Sequence, residues 1–432
     1  MSAPGGTSHT DSTDSADQRL AGLLPDLDRR LAAADAELLA DYPGDRGVRQ
    51  PVHTVYVPAD RYGEQTVPEW AAAARQVLAE HGSPVGELAE TLDVEPSLAA
   101  EVDDRVRGKL DREPIEDLRI DFEDGYGVRS DDDEDRAARA AASALAATVL
   151  AGSAPPYHGL RIKCLEAPTR ARAVRTLDLV VGALVAQGAL TPGFVITLPK
   201  VTSVAQVEAM VAILEALEAA HGLAAGALRF EIQVETPQAI LGADGTALVA
   251  RMIHASAGRC TGLHYGTYDY SASLGVSAQY QSMEHPVADH AKAVMQVAAA
   301  GTGVFVCDGS TNVLPVGDRD AVRAAWRLHI RLVRRSLAQG IYQGWDLHPA
   351  QLPSRYVATY AFFREGLAQA AARLHAYVHG GDSGYLDEPA TAAALAGFVL
   401  RGVECGAVDA AEVDRLIGVD TDGLARLARR KT

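Results

Sequence analysis

Three acidic side chains fall where strand-like runs give way to turns: Glu123 or Asp124 in "RIDFEDGYG" (119–127), Glu235 in "RFEIQVE" (229–235) and Asp269 in "GLHYGTYD" (262–269). A carboxylate leaving water unpaired is costly, so acids that close apolar runs call for a cation or strong donors. Glu235 and Asp269 end consecutive runs, so their carboxylates can converge on one point. Two hard oxygen ligands with no His or Cys beside them suit Mg²⁺ or Mn²⁺ rather than Zn²⁺. Such an ion can chelate a 2-oxo acid and act as a Lewis acid on a developing enolate. Lys200, in "LPKV" (198–201), could form a Schiff base or supply positive charge beside the acids. The second reading is preferred, because a Schiff base leaves the two metal-type carboxylates unexplained. His348, closing "GIYQGWDLHP" (340–349), either lines the pocket and carries protons or is structural. His285 and His290 show no metal-cluster logic.

These residues need a scaffold, and the sequence supplies a rhythm. Apolar runs recur at 53–58, 118–124, 160–166, 193–199, 229–235, 262–269, 303–309 and 340–349, each followed by an Ala/Leu/Arg-rich stretch of helical spacing. Extra helices at "VPEWAAAARQVLAEHG" and "PSLAAEVDDRVRGKL" fill the long first interval. Eight βα units predict an α/β TIM (β/α)8 barrel, whose active sites lie at the carboxyl ends of the strands. No GxGxxG follows the first run and no GxxxxGK[ST] occurs, so a dinucleotide or P-loop site has no support. The expected division is a disordered tail over 1–18, a leading helical segment over 19–50, the barrel over 51–355 and a helical C-terminal extension over 356–432. The loop "HGGDSGYLDEP" interrupts that extension, and "DDDED" (131–135) is expected to cap a helix start.

Strand parity adds a further expectation. Side chains alternate between the two faces of a strand. If Ile120, Phe122, Ile162, Phe230, Ile232 and Val234 face the helices, the lumen receives Arg119, Asp121, Glu123, Arg161, Lys163, Glu231, Gln233 and Glu235. Most barrels fill this space with branched apolar residues. For the deeper members (Arg119, Asp121, Glu231) the preferred reading is a structural ion-pair network.

Bulk properties set the remaining bounds. The chain has 432 residues, 48% hydrophobic and 22% charged, with a formal charge of -17. That acidity excludes a nucleic-acid binder, which needs a basic surface. Cys164, Cys260, Cys307 and Cys405 are scattered without a CxxC pair, which fits a reducing cytoplasm. The opening residues are polar, and the most apolar run (179–190) is too short to span a bilayer, so no membrane partner is expected.

The motifs, taken in order, resemble the HpcH/HpaI aldolase and citrate lyase beta-subunit (CitE-like) family, whose wider group includes malate synthases. The similar pieces are "VYVPAD", "DFEDGYG", "LRIKCLE", "LPKV", "QVETPQAI", "GTYDYSASLG" and "GWDLHPAQ", spread over roughly residues 50 to 355. The resemblance implies a Mg²⁺-dependent carbon–carbon lyase or aldolase, with Mn²⁺ as the alternative ion. Its substrate would be a small 2-oxo or 3-hydroxy acid or the CoA thioester of one, handled through a metal-stabilised enolate. It makes Glu235 and Asp269 the metal ligands, with Glu235 also touching substrate, and gives Arg161 the grip on the substrate carboxylate. Glu123 and Asp124 become acids that orient the metal's water, and a homo-oligomer is expected. Departures lie in Lys163, in Pro237 just after the glutamate and in the Gly-Tyr-Gly that ends the second motif. Two rivals stand beside this reading: a malate-synthase-like condensation of acetyl-CoA with glyoxylate, and a non-catalytic metabolite-binding barrel.

Overall fold

The computed structural model describes residues 13–87 and 95–429. Most of the tail expected over 1–18 lies outside the described residues; from Thr13 the chain is helical. Eight parallel strands form one sheet: β1 (His53–Pro58), β2 (Asp117–Asp121), β3 (Tyr157–Arg161), β4 (Phe194–Leu198), β5 (Arg229–Val234), β6 (Cys260–Tyr265), β7 (Phe305–Cys307) and β8 (Gly344–Asp346). The strand order is 7-6-5-4-3-2-1-8. A parallel bridge between Cys307 and Gln343 joins the two ends, supported by the Asp308 amide donating to Gln343 O (2.8 Å) and the Trp345 amide to Gly309 O (3.2 Å). The sheet is a closed TIM barrel.

The chain opens with α1 (Thr13–Asp41), and the helices in the long first interval are α2 (Thr66–His81) and α3 (Pro96–Arg112). The ring and its additions continue with α4 (Asp131–Leu150), α5 (Arg170–Ala186), α6 (Val204–His221), α7 (Pro237–Ile240), α8 (Leu248–Ala255), α9 (Thr267–Ser273), α10 (Pro286–Ala299) and α11 (Arg319–Ala338). Then come α12 (Leu352–His379), α13 (Pro389–Glu404), α14 (Ala410–Ile417) and α15 (Thr421–Ala428). Local chemistry explains the starts. Ser130 accepts from the Asp133 amide ahead of the acid-rich first turn of α4, so "DDDED" sits at the positive end of a helix dipole. Ser203 and Gln206 form a capping box on α6, and Asp318 caps α11.

The apolar core lies between the outer barrel face and the helices. Ile120, Phe122, Leu160, Ile196, Ile232, Val234 and Leu263 are all fully buried there. The lumen is polar, as parity requires, with one correction. Lys163 does not enter it. The third strand ends at Arg161 rather than running from 160 to 166, and Lys163 turns outward to Glu134 of α4 (3.0 Å) and the Phe122 carbonyl (2.6 Å). Those partners fix the β2–α4 loop to the start of its helix. The sequence boundary at 355 falls inside α12, whose first half is packed against the barrel.

A second charged cluster sits outside the lumen, where β8 meets β1. Asp346 is fully buried and accepts from Arg355 Nη2 (2.7 Å) and His53 Nδ1 (2.9 Å), with His329 Nε2 at 3.2 Å. His53 Nε2 accepts the Glu116 amide, so its Nδ1 carries the hydrogen that Asp346 receives. Gly344 has no alternative here, since a Cβ would lie 2.6 Å from Arg355 Nη1.

Candidate active site at the carboxyl rim

Two layers of charge fill the barrel. In the deeper one Arg119 is ion-paired with Asp117 and with Glu231 (2.8 Å), and Glu231 also takes Thr197 Oγ1 (2.5 Å), Tyr56 OH (3.4 Å) and His264 Nε2 (3.0 Å). Burial opposes charge on His264, but Cys307 and Glu231 hold its pKa well above the usual imidazole range. This is the structural network expected for Arg119 and Glu231. Asp121, expected to share it, lies instead in the layer above.

In the upper layer Asp121 takes both Nε (2.7 Å) and Nη2 (2.6 Å) of Arg161 and the amides of Glu123 (2.9 Å) and Gly125 (2.8 Å). The rings of Tyr56 and Trp345 lie 4.8 and 5.5 Å from the guanidinium carbon. Arg161 is thereby immobilised, with Nη1 left for Gln233 Oε1 (3.2 Å) and Glu123 (3.4 Å). Gln233 passes the order on by donating to Glu235 Oε2 (2.7 Å). The other carboxylate oxygen of Glu235 accepts the backbone amide of Lys200 at 2.8 Å.

Lys200 is the hinge of the rim. Its backbone is left-handed at φ 52, a strained conformation for a residue with a side chain. The strain aims its amide at Glu235 and its ammonium at the remaining acids. Lys200 Nζ lies 2.9 Å from Glu123, 2.8 Å from Asp124 and 3.6 Å from Asp269. Burial alone would favour a neutral amine, yet Glu235, Asp124 and Glu123 hold its pKa far above the usual lysine value. An ammonium held by carboxylates in this way is a poor nucleophile.

Glu235 is 1% exposed, and burial, reinforced by Asp269 and Glu123, pushes its carboxyl up to about 7 against the pull of Lys200 and Arg161. Burial is the main cause, and the neighbouring acids add to it. Among the described residues the ion-pair partners of Asp121, Glu123, Asp124 and Asp269 at this rim are Lys200 and Arg161, with Arg161 shared between Asp121 and Glu123. An all-oxygen donor set with surplus negative charge fits a hard divalent cation. Among the described residues no group of three or more His, Cys, Asp or Glu is placed to hold a metal ion by itself.

Asp269 reaches this rim from the first turn of α9, not from a strand end. Gly266 precedes α9 because a Cβ there would stand 2.4 Å from Glu235 Cβ. Gly266→Ala is therefore expected to displace Glu235 and weaken Mg²⁺ binding about tenfold or more without unfolding the barrel, read by calorimetry beside circular dichroism. His348 is half-buried and accepts the Ala350 amide (3.2 Å), capping the turn after β8. Tyr56, Trp345 and Gln233 do much of the positioning. Alternation within "HTVYVP" and "GWDLHP" would have placed the two aromatics inward.

The model of a family described only as a domain of unknown function, DUF6986, matches residues 31–432. The chain belongs to the DUF6986 family. No curated protein matches it. Among solved structures, this DUF6986 protein resembles Haloferax volcanii malate synthase in a magnesium and glyoxylate complex at 16% identity and TM-score 0.47, covering 90% of this chain and 99% of that one. The native enzyme at 3 mM glyoxylate gives 15% and 0.48, over 89% and 98%. An HpcH/HpaI aldolase/citrate lyase family protein from Burkholderia cenocepacia J2315 gives 15% and 0.36, over 73% and 94%. These names span the wider group the motifs resemble, but at such scores the likeness carries no argument. The barrel rests on its own strand pairing. No helix among the described residues is long and apolar enough to cross a membrane.

Proposed function

We propose that this protein is a Mg²⁺-dependent carbon–carbon lyase acting on a small 2-oxo or 3-hydroxy acid or its CoA thioester. One observation carries the reading: at the carboxyl rim Glu123, Asp124 and Asp269 surround the Lys200 ammonium while the backbone amide of the same lysine binds the buried Glu235, beside an arginine locked in place. Glu235 and Asp269 would hold the metal. When bound, Mg²⁺ supplies Lewis-acid polarisation of substrate oxygens, which favours enolate chemistry in either direction. The chain's own part is positioning. Gln233 and the Lys200 amide fix both oxygens of Glu235, and the ion pair with Asp121 holds the Arg161 charge beneath the rim. Lys200 balances the acids until a divalent cation arrives.

The test is turnover of 4-hydroxy-2-oxo acids and 3-hydroxyacyl-CoA esters by protein with Mg²⁺, following pyruvate, glyoxylate or free CoA. The reverse arm supplies glyoxylate with acetyl-CoA. Chelator should abolish activity; activity that survives chelator and disappears in Lys200→Ala would overturn the metal reading. Lys200→Met leaves the rim acids without their cation. Its melting temperature without metal should fall, and the rise on adding Mg²⁺ should exceed that of wild type. Equal Mg²⁺-induced shifts in the two proteins would remove Lys200 from the cation position.

A further inference from the structure

A large cavity lies away from the acidic rim. It opens at the opposite, amino-terminal face of the barrel, with a volume of about 610 Å³. That size lies within the range of small-molecule sites. Its walls are largely apolar, with Leu190, Val195, Leu223 and Phe305 among them, and at its floor lie Arg119 and its partners Asp117 and Glu231 from the deep charged layer. Arg119 is 1% exposed, and its Nε is buried without a hydrogen-bond partner although both terminal nitrogens are paired. A buried donor of that kind costs stability unless something accepts from it.

Two more arginines stand at the cavity. Arg46 donates to Thr261 O (2.9 Å) and lies 5.2 Å over the Phe305 ring, yet its Nε is also buried without a partner. Arg229, which is exposed, is close enough to depress the pKa of Arg46, after burial, by repulsion. No carboxylate lies within ion-pair distance of either among the described residues, although Asp45 supports the charge on Arg46 from further away, in a protein carrying a formal charge of -17. Every other barrel-lining arginine discussed above has a carboxylate. An unneutralised arginine pair, an unpaired guanidinium N–H below it and aliphatic walls together define what would fit: acceptor oxygens with negative charge on an apolar body.

We propose that the amino-terminal cavity is a second binding site, separate from the rim, for an aliphatic monocarboxylate whose head group neutralises Arg46 and Arg229 and whose chain lies against Leu190, Leu223 and Phe305. The proposal does not depend on the rim chemistry, and its test needs no turnover. Octanoate, with octanamide as the uncharged match, is titrated into the full-length protein by calorimetry. Octanoate should bind at one per chain, at least about tenfold more tightly than octanamide. Arg229→Glu, which reverses an exposed charge, and Leu223→Trp, which fills the cavity from a half-buried position, should each weaken octanoate about tenfold or more. Both variants should keep the wild-type melting temperature. Equal affinity for octanoate and octanamide would overturn the anionic head group. Undiminished binding in both variants would overturn the location, and no octanoate heat at all would leave the cavity to water and overturn the site.

Discussion

Glu235→Gln is expected to lower Mg²⁺ affinity by about a hundredfold or more and to take Mg²⁺-dependent turnover with it. The substitution keeps volume and most hydrogen bonding, so the fold should persist; what goes is the charge that holds a divalent cation. The Lys200 amide can still donate to the remaining carbonyl oxygen at the position of Oε1 (2.8 Å in the parent), whereas the Gln233 amide would face an NH2 at 2.7 Å. One of the two bonds that orient the side chain therefore becomes a clash of donors unless Gln233 turns over. Calorimetric titration of Mg²⁺ into wild type and variant measures the effect directly. Equal affinities would show that the ion is held elsewhere or not at all.

Asp346→Ala is expected to cost about 3–5 kcal/mol of stability, because it strands Arg355 in a buried site without its counter-charge. The measurement is the shift in the denaturant midpoint. The same residue gives a pH signature. Burial alone would raise the Asp346 pKa, but Arg355, His329 and His53 hold it well below the usual carboxylate range. A group with its folded value depressed stabilises the protein fully above the unfolded value, about 4, and progressively less as the pH falls below it. The difference between wild type and Asp346→Ala should therefore be flat near neutrality and shrink in acid. Asp346→Asn, which keeps the shape, should lose the acid dependence as well.

Much of the architecture was legible in the residues. Eight apolar runs separated by helical stretches gave the barrel, and period-two alternation gave a charged lumen, because both signals follow from burial that the chain cannot avoid. Alternation failed at Lys163, where the backbone leaves the sheet before the run of β-like residues ends. The pull there comes from Glu134, remote in sequence, so no local pattern reports it. The candidate rim acids were identified by their place at the ends of runs, and the structure brings Glu123, Asp124, Glu235 and Asp269 together around Lys200. The left-handed backbone of Lys200 and the aromatic cover on Arg161 were out of reach for a simpler reason. One is a matter of φ at a residue that rarely adopts it, and the other depends on β1 and β8 being neighbours across the closure of the barrel.

Helix α12 has a consequence for how the molecule can be made. Its first half carries Arg355, which completes the Asp346 cluster at the seam between β8 and β1. The turns after Arg355 are held by chain that comes later: Tyr360 OH donates to Cys405 O (2.7 Å), and Arg364 binds Glu412 (2.6 Å) together with Glu101 of α3. Arg105 of α3 reaches Asp409 in the same region. The first strand thus waits for its last partner across nearly 300 residues, and that partner is steadied by segments closer still to the end of the chain. On a ribosome the nascent barrel would remain unsealed, with the edges at β1 and β7 open, until β8 and the helix after it had emerged.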